Sequence, residues 1–268
     1  MKNKITATIS HYLSVYMSFA STSFAKAMDF RLNFILLIIL DICFYSTTLA
    51  SVDILYDHVT TIGPWKRDQL MFFLSFMLFI DYLHMSLVSE SFWQLSFKVR
   101  TGELDFEILK PISILFSVFF RYVRPSGVPL FFVTSSILIY HGLKVELSLF
   151  NWIMLPILIF LSFTLRIILE FAIATVTFWM VETISINFVR MQLQSLGRWP
   201  DFVYSSYPKR IFTTIFPILM VGSAPAHFLL EGNSFRYIFY LLACIVIFSF
   251  VLKYFWKKGL DQYDSASS

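Results

Sequence analysis

Charged side chains are scarce in this 268-residue sequence. They make up 14% of the residues, whereas hydrophobic types make up 57%. This balance excludes a soluble domain, because several apolar runs reach the about 20 residues that a helix needs to cross a hydrocarbon core of about 30 Å. The runs are continuous, whereas strands of a membrane barrel alternate with a period of two. The sequence therefore predicts an all-α integral membrane protein.

Cysteines are few, and glycine pairs and histidine clusters are absent from the sequence. Cys43 and Cys244 both lie inside apolar runs, which excludes a disulfide framework. All eight glycines are isolated and no GxxxxGK[ST] phosphate loop occurs, so we expect no enzyme activity and no cofactor in this chain. The net charge of +4 is typical of basic cytoplasmic loops rather than of a nucleic-acid partner. No metal site is predicted from the scattered histidines His11, His58, His84, His141 and His227.

The apolar runs predict six transmembrane helices, and the placement of Lys and Arg predicts that both ends of the chain are cytoplasmic. Residues 1–31 are amphipathic and predict an interfacial helix. A cleaved signal peptide is the alternative, because Lys2 and Lys4 precede an apolar stretch, but His11 interrupts that stretch. The predicted segments are the interfacial helix 1–31, the membrane domain 32–258 with a cytoplasmic loop 89–125 and an outer re-entrant segment 200–230, and a cytoplasmic tail 259–268.

The region 152–230 admits two interpretations. In the first, 152–181 is one long fourth span and 210–230 is the fifth, which agrees with the basic residues between them. In the second, 152–168 and 171–195 are the spans, and 200–230 folds back on the outer side, which agrees with its several prolines. We favour the second, although both leave the C-terminal end on the same side.

A few ionisable side chains fall within or near the predicted spans. A carboxylate there costs several kcal/mol unless it faces the interior of the bundle. Asp81 and His84 are three residues apart and share a helix face, which suits a proton relay, a packing pair or a contact to another subunit. The intramembrane polar candidates are Asp41, Asp81, His84, Arg166 and Glu170.

The stretch from Arg100 to Pro111, in the predicted cytoplasmic loop, resembles a short helix with marked ends. Thr101 is the expected N-cap, and Lys110 suits the negative end of the helix dipole. A helix of two to three turns is unstable alone, so it must rest on other elements. It is either a docking element for a soluble partner or an ordinary surface helix. The residues expected to contribute are Thr101, Glu103, Leu104, Asp105, Phe106, Glu107, Ile108, Leu109 and Lys110.

Two sequence motifs resemble the permease subunits of ABC-2-type transporters. The first is Thr101-Gly102-Glu103-Leu104-Asp105, followed by Leu109-Lys110-Pro111-Ile112-Ser113. The second is looser: Phe178-Trp179, Trp199-Pro200, Tyr207-Pro208, Ile215-Phe216-Pro217 and Ala224-Pro225-Ala226. The resemblance covers most of the chain. It departs from the usual pattern at Arg198-Trp199-Pro200, where a smaller apolar residue is expected before the proline.

The resemblance implies a permease in the bacterial inner membrane that works as an exporter. The 32 phenylalanines predict an apolar, aromatic transport path and thus an amphipathic, lipid-linked or peptide-like substrate. A second permease, identical or paralogous, and two cytoplasmic ATPase subunits carrying ATP and Mg are the implied partners, together with membrane lipids. Residues 98–113 would contain the coupling helix, with apolar contacts from Leu104, Phe106, Ile108 and Leu109 and acidic contacts from Glu103, Asp105 and Glu107. Residues 4–24 would brace the ATPase. The outer gate would include Pro208, Pro217 and Pro225.

Two other functions remain open from the sequence. In a secondary transporter, the polar candidates Asp41, Asp81, His84, Arg166 and Glu170 would couple ions or protons, although no internal repeat is visible. A non-transporting membrane scaffold is the second alternative. An ABC-2 permease differs from both because it must associate with a separate ATPase.

Overall fold

The computed structural model describes residues 2–180 and 184–263, and these residues form helices joined by short connections without β-strands. Residues 264–268 of the predicted tail 259–268 therefore lie outside the described residues. The helices are α1 (Lys2–Asp29), α2 (Arg31–Tyr56), α3 (Arg67–Leu87), α4 (Ser89–Thr101), α5 (Leu104–Ile108), α6 (Ile114–Phe119), α7 (Gly127–Lys144), α8 (Leu149–Ala174), α9 (Ile184–Leu196), α10 (Ser206–Arg210), α11 (Met220–Leu230) and α12 (Arg236–Gln262).

The prediction of an all-α membrane protein is confirmed. Among the described residues, four helical segments are long and apolar enough to cross a membrane. They are Arg31–Tyr56, Arg67–Leu87, Leu149–Trp179 and Arg236–Gln262. Ser206–Ile215 and Met220–Leu230 meet at an angle of 100° and count as a fifth if they form one broken span. The expected count of six stays a prediction, because α7 is not among these segments.

Helix α3 is the centre of the bundle. In its most apolar stretch 83% of the residues are buried, compared with 11% in the corresponding stretch of α2. α3 packs against α2, α7, α8 and α11, and α8 also packs against α12. The long apolar side chains of α3, including Phe72, Phe73 and Ile80, are fully enclosed and form the main core.

The region 152–230 combines features of both interpretations. Helix α8 continues without a break from Leu149 to Ala174, so the favoured division into spans 152–168 and 171–195 is wrong. Arg166 and Glu170 pair one turn apart on the same helix, across the point where the division was expected. The bend between Ile215 and Met220 agrees with the proline-broken segment of the second interpretation.

Contacts between distant residues define the two ends of the bundle. At one end, Trp65 Nε1 donates to Glu231 Oε1 at 2.8 Å, and Asn151 Nδ2 donates to the Leu229 carbonyl at 2.9 Å. At the opposite end, a second core cluster joins α4, α5 and α6 to the ends of α8 and α12, and Trp256 packs on Phe119. We call this second end the α4–α6 end.

Helix α1 lies at the α4–α6 end. Its Tyr12 hydroxyl accepts a hydrogen bond from the Ser113 backbone N–H at 3.0 Å. The Tyr12 and Phe116 rings meet edge-on, with centroids 4.8 Å apart, and Phe19 stacks on the same ring. The amphipathic segment thus forms one long helix from Lys2 to Asp29, and its Tyr12 and Phe19 rest on α6.

Candidate functional site

Residues 101–110, which we call the 101–110 segment, form a tight corner at the α4–α6 end. Helix α4 ends at Thr101, and Gly102 adopts φ 77°, the left-handed conformation that glycine tolerates best. The prediction that Thr101 caps the next helix is wrong. Its hydroxyl donates to the Phe97 carbonyl one turn back, because Thr101 completes α4 and α5 begins only at Leu104.

Glu107 is the polar anchor of the segment, with 3% of its side chain exposed. Four groups surround its carboxylate: one from α4, one from α6, and one from each stretch that follows α5 and α6. Arg121 Nη1 lies 3.1 Å from Oε1 and Lys110 Nζ lies 2.5 Å from Oε2, while Lys98 Nζ and Ser117 Oγ also donate to it. We call these five residues the Glu107 cluster. The cluster fixes α5 against α4 and α6.

The Glu107 cluster changes the acidity of its carboxyl group. Burial by itself would raise the pKa of Glu107, but the hydrogen bonds from Lys110, Lys98 and Ser117 outweigh burial. They lower the pKa from 4.5 to about 2. Glu107 is therefore ionised in the folded protein at any physiological pH. The sequence-based expectation that it pairs with basic residues of a partner does not fit, since its partners lie within the chain.

A pH-dependent stability follows from the lowered pKa of Glu107. Because the folded state binds this proton more weakly than the unfolded state, the stabilisation is complete above about pH 4.5 and lost as pH falls through about 2. We expect the thermal midpoint of the purified protein to exceed that of Glu107→Gln by a constant amount above about pH 5, and the gap to close towards pH 2. The exposed Glu103→Gln variant is the control. A gap that stays constant down to about pH 2 would contradict the role of Glu107.

The apolar side chains of the 101–110 segment separate into an inner and an outer set. Leu104 is 0% exposed and packs in the second core cluster. Phe106 and Leu109 are 70% and 81% exposed, and Ile108 is 41% exposed. The predicted apolar contact of Leu104 with a partner therefore does not fit, because the core already covers its side chain. Phe106, Leu109 and Ile108 remain available for such a contact.

The remaining polar residues of the segment also differ in availability. Glu103 is exposed. Asp105 interacts electrostatically with Tyr263, which follows α12, and so connects the segment to the C-terminal helix. Lys110 has 31% of its side chain exposed while it contacts Glu107.

A second polar site lies in the interior of the bundle and gathers four of the five intramembrane candidates. Arg166 Nη1 lies 2.5 Å from Asp81 Oδ1, and Arg166 Nε lies 3.0 Å from Glu170 Oε1. His84 Nε2 lies 2.6 Å from Glu170 Oε2. All four side chains are buried. The fifth candidate, Asp41, lies apart and pairs with Arg124 at 2.8 Å.

Two further arginines complete this site. Arg190 of α9 donates to Glu170 Oε2 at 2.8 Å, and Arg198 Nε lies 3.1 Å from Asp81 Oδ2. We call Asp81, His84, Arg166, Glu170, Arg190 and Arg198 the intramembrane cluster. Each carboxylate contacts two arginines, so the buried charges are paired, as a low-dielectric interior requires.

The sequence reasoning missed several members of both sites. Lys98, Ser117 and Arg121 lie in the predicted loop 89–125, and Arg190 and Arg198 lie in the region 152–230, and none of them was a predicted site residue. A usable signal was present: an arginine amid apolar residues, such as Arg190, implies a buried acidic partner. The identity of that partner needed the tertiary structure, because Glu170 is 20 residues away.

The predicted outer-gate prolines lie on the bent segment. Pro208 is in α10, Pro217 is at the bend and Pro225 is inside α11. An ion-pair group holds this segment in place: Asp201 contacts Lys209 at 2.7 Å and His227 at 2.8 Å. The structure thus places the three prolines on one folded unit at the end of the bundle opposite to α4–α6.

Comparison with known families decides what these sites belong to. A family model described as ABC-2 family transporter protein matches residues 42–267. The chain belongs to the ABC-2 transporter family. The resemblance deduced from the two motifs is thereby confirmed. Comparison with curated proteins finds no match, and comparison with solved structures finds none.

Membership of the ABC-2 family fixes the broad function. The chain is a multi-pass membrane protein and the permease subunit of an ABC transporter, which associates with an ABC ATPase. The matched region begins inside α2 and includes both the 101–110 segment and the intramembrane cluster.

Proposed function

We propose that this ABC-2 permease is the membrane subunit of an exporter in the bacterial inner membrane, and that the 101–110 segment is its coupling helix. The observation that carries the proposal is the pair of exposed side chains Phe106 and Leu109 on a segment that Leu104 and Glu107 anchor from behind. Such exposed apolar side chains are typical of interface anchors.

The chain itself performs no chemistry in this proposal. Two cytoplasmic ATPase subunits bind ATP and Mg, and a second permease, identical or paralogous, completes the transport path. ATP-driven closure of the ATPases moves the groove that holds Phe106 and Leu109. The permease responds through a difference in free energy between two arrangements of its helices.

The second core cluster provides the route for this movement. Leu104 packs among side chains of α4, α6, α8 and α12. Within this cluster the rings of Phe119 and Phe171 stack with centroids 3.7 Å apart, which joins α6 to α8. Because packed cores transmit displacement rather than absorb it, a tilt of the 101–110 segment moves the ends of α8 and α12.

The proposed substrate is amphipathic, lipid-linked or peptide-like. The support is the apolar surface of the outer helices: only 11% of the most apolar stretch of α2 and 17% of that of α12 is buried within the chain. Such faces suit contact with membrane lipids or with a second permease, and a path between them would be lined by aliphatic and aromatic side chains.

The intramembrane cluster favours a structural role over proton coupling. A proton carrier must release and bind a proton without leaving other charges stranded. Neutralising Asp81 would leave Arg166 and Arg198 without their shared partner. The cost of an unpaired buried charge opposes such a cycle, which argues against the secondary-transporter alternative.

The proposal is tested with the double variant Phe106→Ser/Leu109→Ser. Both side chains are exposed, so we expect normal insertion and thermal stability. Loss of two interface anchors, each worth about 1–2 kcal/mol or more, should reduce ATPase retention and transport-coupled ATP turnover at least about tenfold. Co-purification and ATP hydrolysis in reconstituted vesicles measure the two effects.

The matched control is Phe239→Ser, since Phe239 of α12 is likewise 70% exposed but lies near the opposite end of the bundle. It should retain the ATPase. Full retention and turnover in the double variant would reject the 101–110 segment as the coupling helix.

A further inference from the structure

A cleft with a volume of about 310 Å³ opens beside the 101–110 segment. It lies between α4, α5 and the stretch that follows α6. We call it the cationic cleft. Its lining includes Lys98, Lys110, Arg121, Glu107, Phe106 and Tyr122.

The cations of this cleft have more hydrogen-bonding capacity than Glu107 uses. Both Glu107 oxygens are already occupied, Oε1 by Lys98 and Arg121 and Oε2 by Lys110 and Ser117. A lysine has three donors and an arginine has five. The side chains of Lys110 and Arg121 are 31% and 40% exposed. Donors of both residues therefore remain free to meet an incoming anion.

Aromatic rings hold two of the cations, Arg121 and Lys98, in position. The Arg121 guanidinium lies 5.9 Å from the centroids of both Tyr122 and Phe19, and Lys98 lies 5.7 Å from that of Tyr122. Such contacts hold the charge in place at modest energy. Fixed cations bind an anion with less loss of side-chain entropy than free ones.

The cleft is continuous with the proposed docking surface. Phe106 lines the cleft and is 70% exposed, so a protein that covers Phe106 also covers the mouth of the cleft. A carboxylate on that protein would meet Lys110 and Arg121 while apolar groups beside it meet Phe106. This arrangement of an apolar anchor beside a charged pair is typical of protein interfaces.

We infer that the cationic cleft receives an aspartate or glutamate side chain of the ABC ATPase. This inference rests on the proposed coupling role and reverses the polarity expected from the sequence. The sequence-based expectation was that acidic residues of the 101–110 segment pair with basic residues of the ATPase. Instead Glu107 is saturated within the chain, and Asp105 interacts with Tyr263. Glu103 at the rim is the acidic residue through which the original polarity would act.

A zero-length carbodiimide cross-link on the complex of permease and co-purified ATPase tests the inference. The reagent joins a lysine amine to a carboxylate only when the two are in contact. We expect peptides that join Lys110 to an aspartate or glutamate of the ATPase. The internal Lys110–Glu107 link, between atoms 2.5 Å apart, should form in free permease and serves as the standard for reactivity.

Two variants separate charge from reactivity. Lys110→Arg keeps the charge but has no amine that carbodiimide couples, so it should abolish the cross-link at this position. Arg121→Gln should weaken affinity about threefold to tenfold at low salt, and the loss should shrink at high salt because screening weakens exposed pairs. Lys66→Gln, at the far end of α3, is the control and should change neither result.

The outcomes distinguish this inference from the function on which it rests. The inference is overturned if the ATPase co-purifies but its lysines cross-link only to Glu103 of the permease, or if no cross-link between the two proteins forms. Either outcome leaves the coupling role intact. The same holds if Arg121→Gln binds as tightly as the native chain at low salt. Failure of any ATPase to co-purify overturns the proposed function itself.

Discussion

Replacing Glu170 by Gln is expected to lower the free energy of unfolding by about 3–5 kcal/mol, the cost of removing one partner from a buried ion-pair group. Glu170 is 1% exposed and contacts His84, Arg166 and Arg190, which come from α3, α8 and α9. The amide keeps the shape of the side chain but not its charge. Arg190 would lose its only acidic contact among the described residues, and Arg166 would keep only Asp81.

The effect of Glu170→Gln is measured as the thermal midpoint of the protein in detergent, together with the fraction recovered as a monodisperse peak. Glu90→Gln is the matched control: Glu90 is exposed and its carboxylate accepts a hydrogen bond from Gln94 on the same helix, so we expect a change within about 0.5 kcal/mol. If Glu170→Gln and Glu90→Gln have the same thermal midpoint, the intramembrane cluster does not stabilise the bundle.

Replacing Leu104 by Asp is expected to prevent accumulation of folded protein. Leu104 is 0% exposed within the second core cluster. The described residues of that cluster are all hydrophobic, so none of them could pair with a new carboxylate. An unpaired charge in such a core costs more than about 4 kcal/mol, beyond most single substitutions. The sequence-based expectation that Leu104 contacts the ATPase predicts instead a folded protein that loses only coupling.

Leu109→Asp provides the contrast, because it makes the same chemical change five residues later at a side chain that is 81% exposed. We expect it to fold, to elute as a monodisperse peak, and to lose ATPase retention. Fluorescence-detected size exclusion and co-purification separate the two outcomes. Normal folding of Leu104→Asp would show that the segment is not anchored through Leu104.

The 101–110 segment shows where sequence reasoning reached its limit. The motif and the presence of a short helix were predictable from Gly102, the acidic residues and Pro111, but the expected two to three turns are only five residues in the structure. The pattern could not say which face is buried, because a five-residue helix makes little more than one turn. Leu104 and Ile108 were expected to act together, yet one is enclosed and the other is half-exposed.

Buried charges show the same limit in the membrane domain. The apolar surroundings of Asp81, Arg166 and Glu170 predicted that each has a partner, since unpaired charges are too costly there. The i,i+4 pair of Arg166 and Glu170 was visible in the sequence. The pair of Asp81 with Arg166, 85 residues apart, was not.

The sequence by itself determined the class of the molecule and its family. Apolar runs of membrane length leave only helices that satisfy their own backbone hydrogen bonds, and this constraint is local. The tertiary structure decided which charges meet, which side of the 101–110 segment faces outward and how the region 152–230 is divided. These depend on packing between helices far apart in sequence, where a side chain is buried or exposed according to its neighbours in space rather than its own chemistry.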